Sequence, residues 1–136
     1  MPGPLDGLTV VDLSEYICGP YATKLLADFG ADVIKVERPG GDPARRVGPF
    51  PGNQPDPEKS RTFFTCKSKH RSIELHLPSP ADREALLQLI DRADAVVESF
   101  PPGYLDGLGI GWDVIHGRRP DIPLISITNF GQESPY

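Results

Sequence analysis

The stretch GADVIKVERPGGD, residues 30–42, passes from an apolar run into a group of charged and turn-forming residues. Its centre, Asp32–Glu37, is rich in β-branched residues and predicts a buried strand. At Arg38 a Pro- and Gly-rich stretch begins that extends to about Ser60 and predicts a loop. Because so long a loop is unusual inside a compact domain, we expect this segment to serve a ligand or an interface.

The segments on either side alternate between strand-like and helix-like patterns. Strands are predicted at Leu8–Leu13, Arg71–Leu77, 95–100 and 123–128, and helices at 19–30, 79–94 and 111–119. In the first helix Tyr21, Leu25 and Phe29 recur every four residues, with Ala22 and Leu26 beside them, and predict one apolar face. Such alternation favours a mainly parallel sheet with helices on both faces. The sequence therefore predicts one Rossmann-like, three-layer α/β domain over residues 1–136.

Composition narrows the class of protein. The apolar runs are too short to span a bilayer, and the amino terminus lacks the basic flank and apolar core of a secretory signal, so we expect a cytoplasmic protein without a membrane partner. Cys18 and Cys66 are too few and too far apart for a disulfide framework or a clustered metal site. A formal net charge of -5 argues against a nucleic-acid partner for the whole domain.

The predicted strand ends suggest where a ligand binds, because ligands of parallel sheets lie beyond the carboxyl ends of the strands. The end of the second strand carries the highest density of charge, at Glu37, Arg38, Asp42, Arg45 and Arg46. Guanidinium groups at a sheet edge suit an anionic or nucleotide-like ligand.

A nicotinamide site is the obvious hypothesis, since an acidic residue at the end of the second strand can hold a ribose. The first turn, YICGPYA, however, contains one glycine followed by Pro20, which lacks the N–H that a pyrophosphate needs. Motifs for a phosphate loop, a nucleophile elbow or a zinc hydrolase are absent as well. We therefore expect no redox cofactor and no metal.

A set of longer strings carries a more specific signal. PLDGLTVVDLS, GPYATKLLADFGADVIKVERPGGDPAR, HRSIEL, RADAVVESFPPG and ISITNFGQESPY occur in this order. Together they resemble the amino-terminal part of the class III CoA-transferases, a family that includes formyl-CoA transferase, carnitine CoA-transferase and alpha-methylacyl-CoA racemase. The resemblance covers nearly the whole chain. It implies the Rossmann-like large domain of that family, CoA or an acyl-CoA thioester as substrate, and an interlocked homodimer of a longer chain.

The resemblance also implies which residues meet CoA. Arg38 matches an arginine that contacts the adenosine portion, Arg45 matches the arginine of a GD-x-x-R string, and Arg71 matches that of an NKRS string. The remaining predicted contacts lie in the loops after the first, third and fourth strands: Ile17, Cys18, Leu75, His76, Leu77, Pro78, Ser99, Phe100 and Pro101. Glu37 is expected either to join this site or only to pair with Arg38 or Arg45.

Departures from the family pattern limit the chemistry. Ile17 stands where the formyl-CoA enzymes have a glutamine, Ser99 where many members have asparagine, and Gly107 where some have arginine, so formyl and oxalyl chemistry are not expected. The resemblance places the family's catalytic aspartate, which forms a mixed anhydride in the transferases, beyond Tyr136, and it places the histidine and aspartate of the racemases there as well. We therefore predict no catalytic residue in residues 1–136 and no turnover by this chain alone.

Three functions remain open at this point: the CoA-binding part of a transferase or racemase, a stand-alone CoA-binding or regulatory module, and a remnant without a ligand.

Some candidate residues also have a role that needs no ligand. Cys18 is a possible thiolate, although a buried thiol is the commoner role at such a junction. Asp12 and Glu15 are a possible carboxylate pair, although an aspartate at a strand end more often accepts hydrogen bonds from backbone donors.

Overall fold

A computed structural model describes residues 2–67 and 69–135, which form five strands and five α-helices. The strands are β1 (Thr9–Asp12), β2 (Asp32–Glu37), β3 (Arg71–Glu74), β4 (Ala95–Glu98) and β5 (Leu124–Ser126). The helices are α1 (Cys18–Asp28), α2 (Arg61–Lys67), α3 (Pro80–Ile90), α4 (Tyr104–Gly107) and α5 (Trp112–Arg118). Two short 3-10 turns, Pro43–Arg46 and Pro51–Asn53, lie between β2 and α2.

The strands form one parallel sheet in the order β3-β2-β1-β4-β5, which confirms the predicted α/β class. The chain starts in the middle of the sheet and adds strands first on one side of β1 and then on the other. Because all five strands run the same way, their carboxyl ends meet at one edge. The point where the order reverses, between β1 and β4, is the usual position of a ligand crevice in such folds.

Both faces of the sheet are covered by apolar side chains from helices. On one face Val11 and Val96 pack with residues of α3 and α5, including the fully buried Ile90 and Ile115. On the other face Val33, which is also fully buried, packs with Ala27 of α1. Alternate residues of each central strand thus serve opposite faces, as the pleat of a strand requires. This gives the three layers that the sequence predicts.

The predicted apolar face of α1 is mostly exposed. Tyr21, Leu25 and Phe29 are 48%, 41% and 55% exposed, whereas the helix buries its small residues, among them Gly19 and Thr23. Small side chains allow α1 to approach β1 closely: a Cβ atom added to Gly19 would lie 2.2 Å from Ser14 Cβ. Tyr21, Leu25 and Phe29 therefore point away from the sheet and form an exposed stripe on α1, whereas Leu26 packs against the core.

Several boundaries also differ from prediction. β3 ends at Glu74 instead of Leu77, because the chain turns ahead of Pro78 and the Ser79 amide bonds the carbonyl of His76 at 2.7 Å. The segment predicted as a loop from Arg38 to about Ser60 holds the two 3-10 turns, and the sequence did not predict α2 or α4.

Within the described residues, no helix is long and apolar enough to cross a bilayer.

Candidate functional site

A cleft of about 380 Å³ opens at the carboxyl-terminal edge of the sheet, over the ends of β1, β2, β3 and β4. It is lined by Leu13, Glu15, Val36, Glu37, Arg38, Leu75, His76, Leu77, Pro78, Phe100, Pro101 and Tyr104. Most of the predicted site residues thus come together in one place, although they come from three separate loops. The position beside the reversal of strand order is the one that parallel α/β folds use for ligands.

The lining of this cleft is apolar on its floor and polar at its rim. Leu13 and Leu77 are buried, and the rings of Phe100 and Tyr104 pack with their centroids 4.8 Å apart. Arg38 and Glu15 supply charge at the rim. An apolar cleft with a few convergent polar groups suits an organic ligand that also carries charged groups.

Arg38 makes a two-point ion pair with Glu15 across the rim. Its Nε donates to Glu15 Oε1 at 2.6 Å, and its Nη2 donates to Oε2. The hydrogen bonds to Glu15 raise the pKa of the Arg38 guanidinium, which stays protonated. The Arg38 side chain is still 56% exposed, so part of this group faces solvent above the cleft.

Glu37 is the centre of a buried polar network. Its carboxylate accepts hydrogen bonds from Arg45 at 2.7 and 3.0 Å, from the Asp42 amide at 3.0 Å, from Ser72 at 2.7 Å and from Lys67 at 3.1 Å. Burial raises the pKa of this carboxyl, but the hydrogen bonds outweigh burial and hold the pKa well below its usual range. The expected pairing with Arg45 is confirmed, while Arg38 pairs with Glu15 instead.

Arg45 and Arg71 do not line the cleft. Arg45 also pairs with Glu58 at 2.8 Å and lines a second cleft, of about 440 Å³, on the outer side of β3. The 68% exposed side chain of Arg71 makes a two-point ion pair with Asp32, which begins β2 at the opposite end of the sheet. That these two arginines contact CoA stays a prediction, because the fold does not place their side chains in the cleft.

The loop after β1 lies beside the cleft. Ile17 is 55% exposed, and Cys18, which begins α1, is exposed as well, so the expectation of a buried thiol is wrong. Ser99 Oγ accepts a hydrogen bond from the Glu15 amide at 2.9 Å and thereby links the loops after β1 and β4. Ser99 also lines a further cleft, of about 390 Å³, that shares Phe100 and Pro101 with the first.

Sequence reasoning missed a buried charge cluster beneath these loops. Lys35 in β2 is 1% exposed; its Nζ bonds the carbonyl of Ser14 and lies 3.0 Å from Asp42 Oδ2 and 4.0 Å from Asp12 Oδ2. Asp12 accepts hydrogen bonds from Ser14 and Thr23, as its alternative structural role predicts. The lysine inside the run VIKVE is the signal that could have revealed this cluster, because a buried ammonium requires anionic partners.

The part of the chain that the structure describes contains no candidate metal site. No group of three or more His, Cys, Asp or Glu side chains within residues 2–67 and 69–135 is placed to hold a metal ion.

Tyr104, which sequence reasoning also missed, joins the cleft because α4 starts directly after the loop that follows β4.

Comparison with known proteins gives concordant results. The chain is 44% identical over 129 residues to the succinyl-CoA:mesaconate CoA-transferase of Haloarcula marismortui, an alignment that covers 95% of this chain and 33% of that protein. It is 38% identical over 138 residues to the succinyl-CoA–D-citramalate CoA-transferase of Chloroflexus aurantiacus, covering 99% of this chain and 33% of that protein. The chain thus spans about a third of the length of these relatives.

Solved structures show the same relationship. A CAIB/BAIF family protein from Brucella suis superposes with a TM-score of 0.90 at 37% identity, covering 100% of this chain and 36% of that one. Rv3272 from Mycobacterium tuberculosis superposes with a TM-score of 0.87 at 36% identity, covering 98% and 37% of the two chains. The sequence profile of CoA-transferase family III matches residues 5–136. With nearly all of its length inside that profile, the chain belongs to the class III CoA-transferase family.

Proposed function

We propose that residues 1–136 are the CoA-binding part of an enzyme that transfers CoA between two carboxylic acids. The observation that carries this proposal is the cleft at the carboxyl ends of β1 to β4, where Arg38 lies with the loops Leu75–Pro78 and Phe100–Pro101. These are the segments that the family resemblance assigns to CoA. The nucleotide end of CoA, with its planar base and phosphates, matches an apolar cleft that carries an arginine at its rim.

The chemical contribution of these residues is binding energy. Contacts to the nucleotide, remote from the thioester, hold the reacting carbonyl in place and so lower the entropic cost of the later steps. We propose that a carboxylate outside residues 1–136 attacks the thioester, forming a mixed anhydride and releasing the CoA thiolate. No step in this scheme requires a metal or a redox cofactor.

Transfer is favoured over racemisation as the reaction. The curated relatives described above are named as succinyl-CoA-dependent CoA-transferases. We therefore propose a succinyl-CoA-type donor and a carboxylic acid acceptor for the full-length protein, with the cytoplasm, where CoA thioesters are made and used, as its location.

A homodimer is the proposed assembly. The stripe of Tyr21, Leu25 and Phe29 on α1 is exposed, and apolar residues at helical spacing on a surface are usually covered by another chain or domain. A second copy of the chain is the partner that the family resemblance implies.

Exchange of CoA between acids tests the proposed function. The full-length protein is incubated with succinyl-CoA and a panel of dicarboxylic acids, and new CoA thioesters are identified by liquid chromatography with mass detection. We expect a new thioester with at least one acceptor and release of an equal amount of succinate. Hydrolysis alone, or no consumption of succinyl-CoA, would contradict a transferase.

A further inference from the structure

The loop between β1 and α1 has an unusual backbone. Tyr16 has a φ of 66°, in the left-handed region that residues other than glycine rarely adopt. Its side chain is 54% exposed, so burial of the ring does not account for this conformation. A strained residue persists only where the surrounding structure over-determines it, and such residues cluster at functional sites.

Three neighbouring elements hold this loop in place. The Lys35 ammonium bonds the carbonyl of Ser14, Ser99 Oγ accepts from the Glu15 amide at 2.9 Å, and Asp42 Oδ1 accepts from the Tyr16 amide at 3.2 Å. Lys35 and Asp42 are themselves buried and ion-paired at 3.0 Å. The backbone on both sides of the Glu15 side chain is therefore fixed.

The consequence of this rigid backbone is the placement of the Glu15 carboxylate. That carboxylate, 18% exposed, pairs with Nε and Nη2 of Arg38 and leaves Nη1 and the flat face of the guanidinium outside the pair. An unpaired arginine side chain at a rim would sample many rotamers, and ordering it on binding costs free energy. The pair restricts those rotamers before a ligand arrives.

We propose that Glu15 is a positioning residue for ligand binding: with its backbone held by Ser99 and, through the neighbouring Tyr16 amide, by Asp42, it fixes the Arg38 guanidinium over the cleft so that its open face and Nη1 meet the nucleotide end of CoA. This inference rests on the proposed CoA-binding function and adds to it a residue that sequence reasoning considered only as half of a carboxylate pair. Glu15 therefore strengthens the binding of an anionic ligand, although its own charge is negative.

The physical alternative is that Glu15 weakens the binding of CoA. If phosphate groups took the Nε and Nη2 donors, Glu15 would compete with the ligand, and its removal would tighten binding. The fixed Glu15 backbone and the low exposure of its carboxylate favour positioning, because displacement would leave this carboxylate without its arginine partner.

The experiment is a double-mutant cycle in the full-length protein. Dissociation constants for CoA are measured by titration calorimetry for wild type, Glu15→Ala, Arg38→Ala and the double variant. We expect Glu15→Ala to weaken CoA binding about fivefold in the wild-type background and to have no effect when Arg38 is already alanine. Glu15→Gln, which keeps the side-chain shape, gives the same comparison if the alanine variant does not fold.

A matched control is available outside the lining of the cleft. Asp91 makes a two-point pair with Arg118 between α3 and α5, so Asp91→Ala removes an equivalent ion pair and should leave CoA binding unchanged. Unchanged or tighter binding by Glu15→Ala would overturn the inference, as would an equal loss in both Arg38 backgrounds, which indicates a damaged loop. If the wild-type protein binds no CoA, the proposed function itself fails.

Discussion

Glu37 and Arg45 face each other in a two-point ion pair, with Arg45 Nε 2.7 Å from Glu37 Oε2 and Nη2 3.0 Å from Oε1. The pair joins the end of β2 to the 3-10 turn at Pro43–Arg46 and so holds the start of the long connecting segment against the sheet. The Arg45 guanidinium also lies over the ring of Phe63 in α2, 3.9 Å from its centroid. Glu37 is therefore first of all a structural residue.

Glu37→Gln should destabilise the protein by about 3 kcal/mol, because it leaves the buried charges of Arg45 and Lys67 without their carboxylate. Urea unfolding at pH 7, followed by circular dichroism, measures the free energy of unfolding. Glu58→Gln is the matched control: it removes a 76% exposed partner of Arg45 and should cost less than about 1 kcal/mol. An equal effect of the two substitutions would show that the Glu37 network adds no stability of its own.

The same carboxyl makes stability depend on pH. Its pKa in the folded protein is lowered, so its contribution is complete above the ordinary carboxyl pKa of about 4.3 and is lost as the pH falls below that value. The difference in unfolding free energy between wild type and Glu37→Gln should narrow by about 1.4 kcal/mol per pH unit below pH 4. A difference that stays constant between pH 7 and pH 3 would contradict the lowered pKa.

Arg38→Ala should weaken CoA binding by more than about tenfold, since a charge-assisted contact to the nucleotide is lost. Titration calorimetry with CoA and with adenosine 3′,5′-bisphosphate measures this loss, and both ligands should be affected alike because they share the nucleotide end. Arg118→Ala, on α5, is the control for removal of an ion-paired arginine. An unchanged dissociation constant for Arg38→Ala would place the nucleotide elsewhere.

The sequence predicts the alternation of strands and helices and most of the cleft, but it does not show which face of α1 packs on the sheet. Alternating local patterns mark the strands and helices along the chain, and the loops after parallel strands meet at one edge whatever their exact bounds. Helical spacing marks Tyr21, Leu25 and Phe29 as one face without saying that this face meets the sheet. The small residues Gly19 and Thr23 decide which face of α1 packs on the sheet, because they allow α1 to approach the sheet closely. A pattern of large apolar residues does not show which face this is.

The sequence predicts the pair of Glu37 with Arg45 as one of two options, but it does not predict the other charge pairs. The sequence shows charged residues near the strand ends, at Glu37, Arg38, Arg45 and Arg71. Their partners, however, depend on contacts between segments that are distant in the sequence. Arg71 pairs with Asp32, 39 residues away, and Arg38 pairs with Glu15, 23 residues away. Such contacts are set by the register of β2 against β1 and β3, which composition and periodicity do not specify.

Gly19→Ala should destabilise the fold, because the added Cβ would lie 2.2 Å from both Cβ and Oγ of Ser14. Relief requires α1 to move away from the loop after β1, and overpacking of this kind costs about 1–3 kcal/mol. Gly117→Ala in α5 is the control: a Cβ there meets nothing within 4 Å, so the substitution should be neutral or slightly stabilising. Thermal unfolding of both variants distinguishes a steric effect from a general effect of replacing a helical glycine.

Leu25→Lys combined with Phe29→Lys should convert the proposed homodimer of the full-length protein into a monomer. Both side chains belong to the exposed stripe on α1, and two ammonium groups in an apolar interface lack partners and lose hydration. Val114→Lys, which replaces a 40% exposed valine of α5, is the control and should leave the assembly unchanged. Sedimentation equilibrium gives the molecular mass of each variant. If the double variant keeps the dimer mass and the wild-type stability, the stripe is not part of the subunit interface, and another surface must join the two copies.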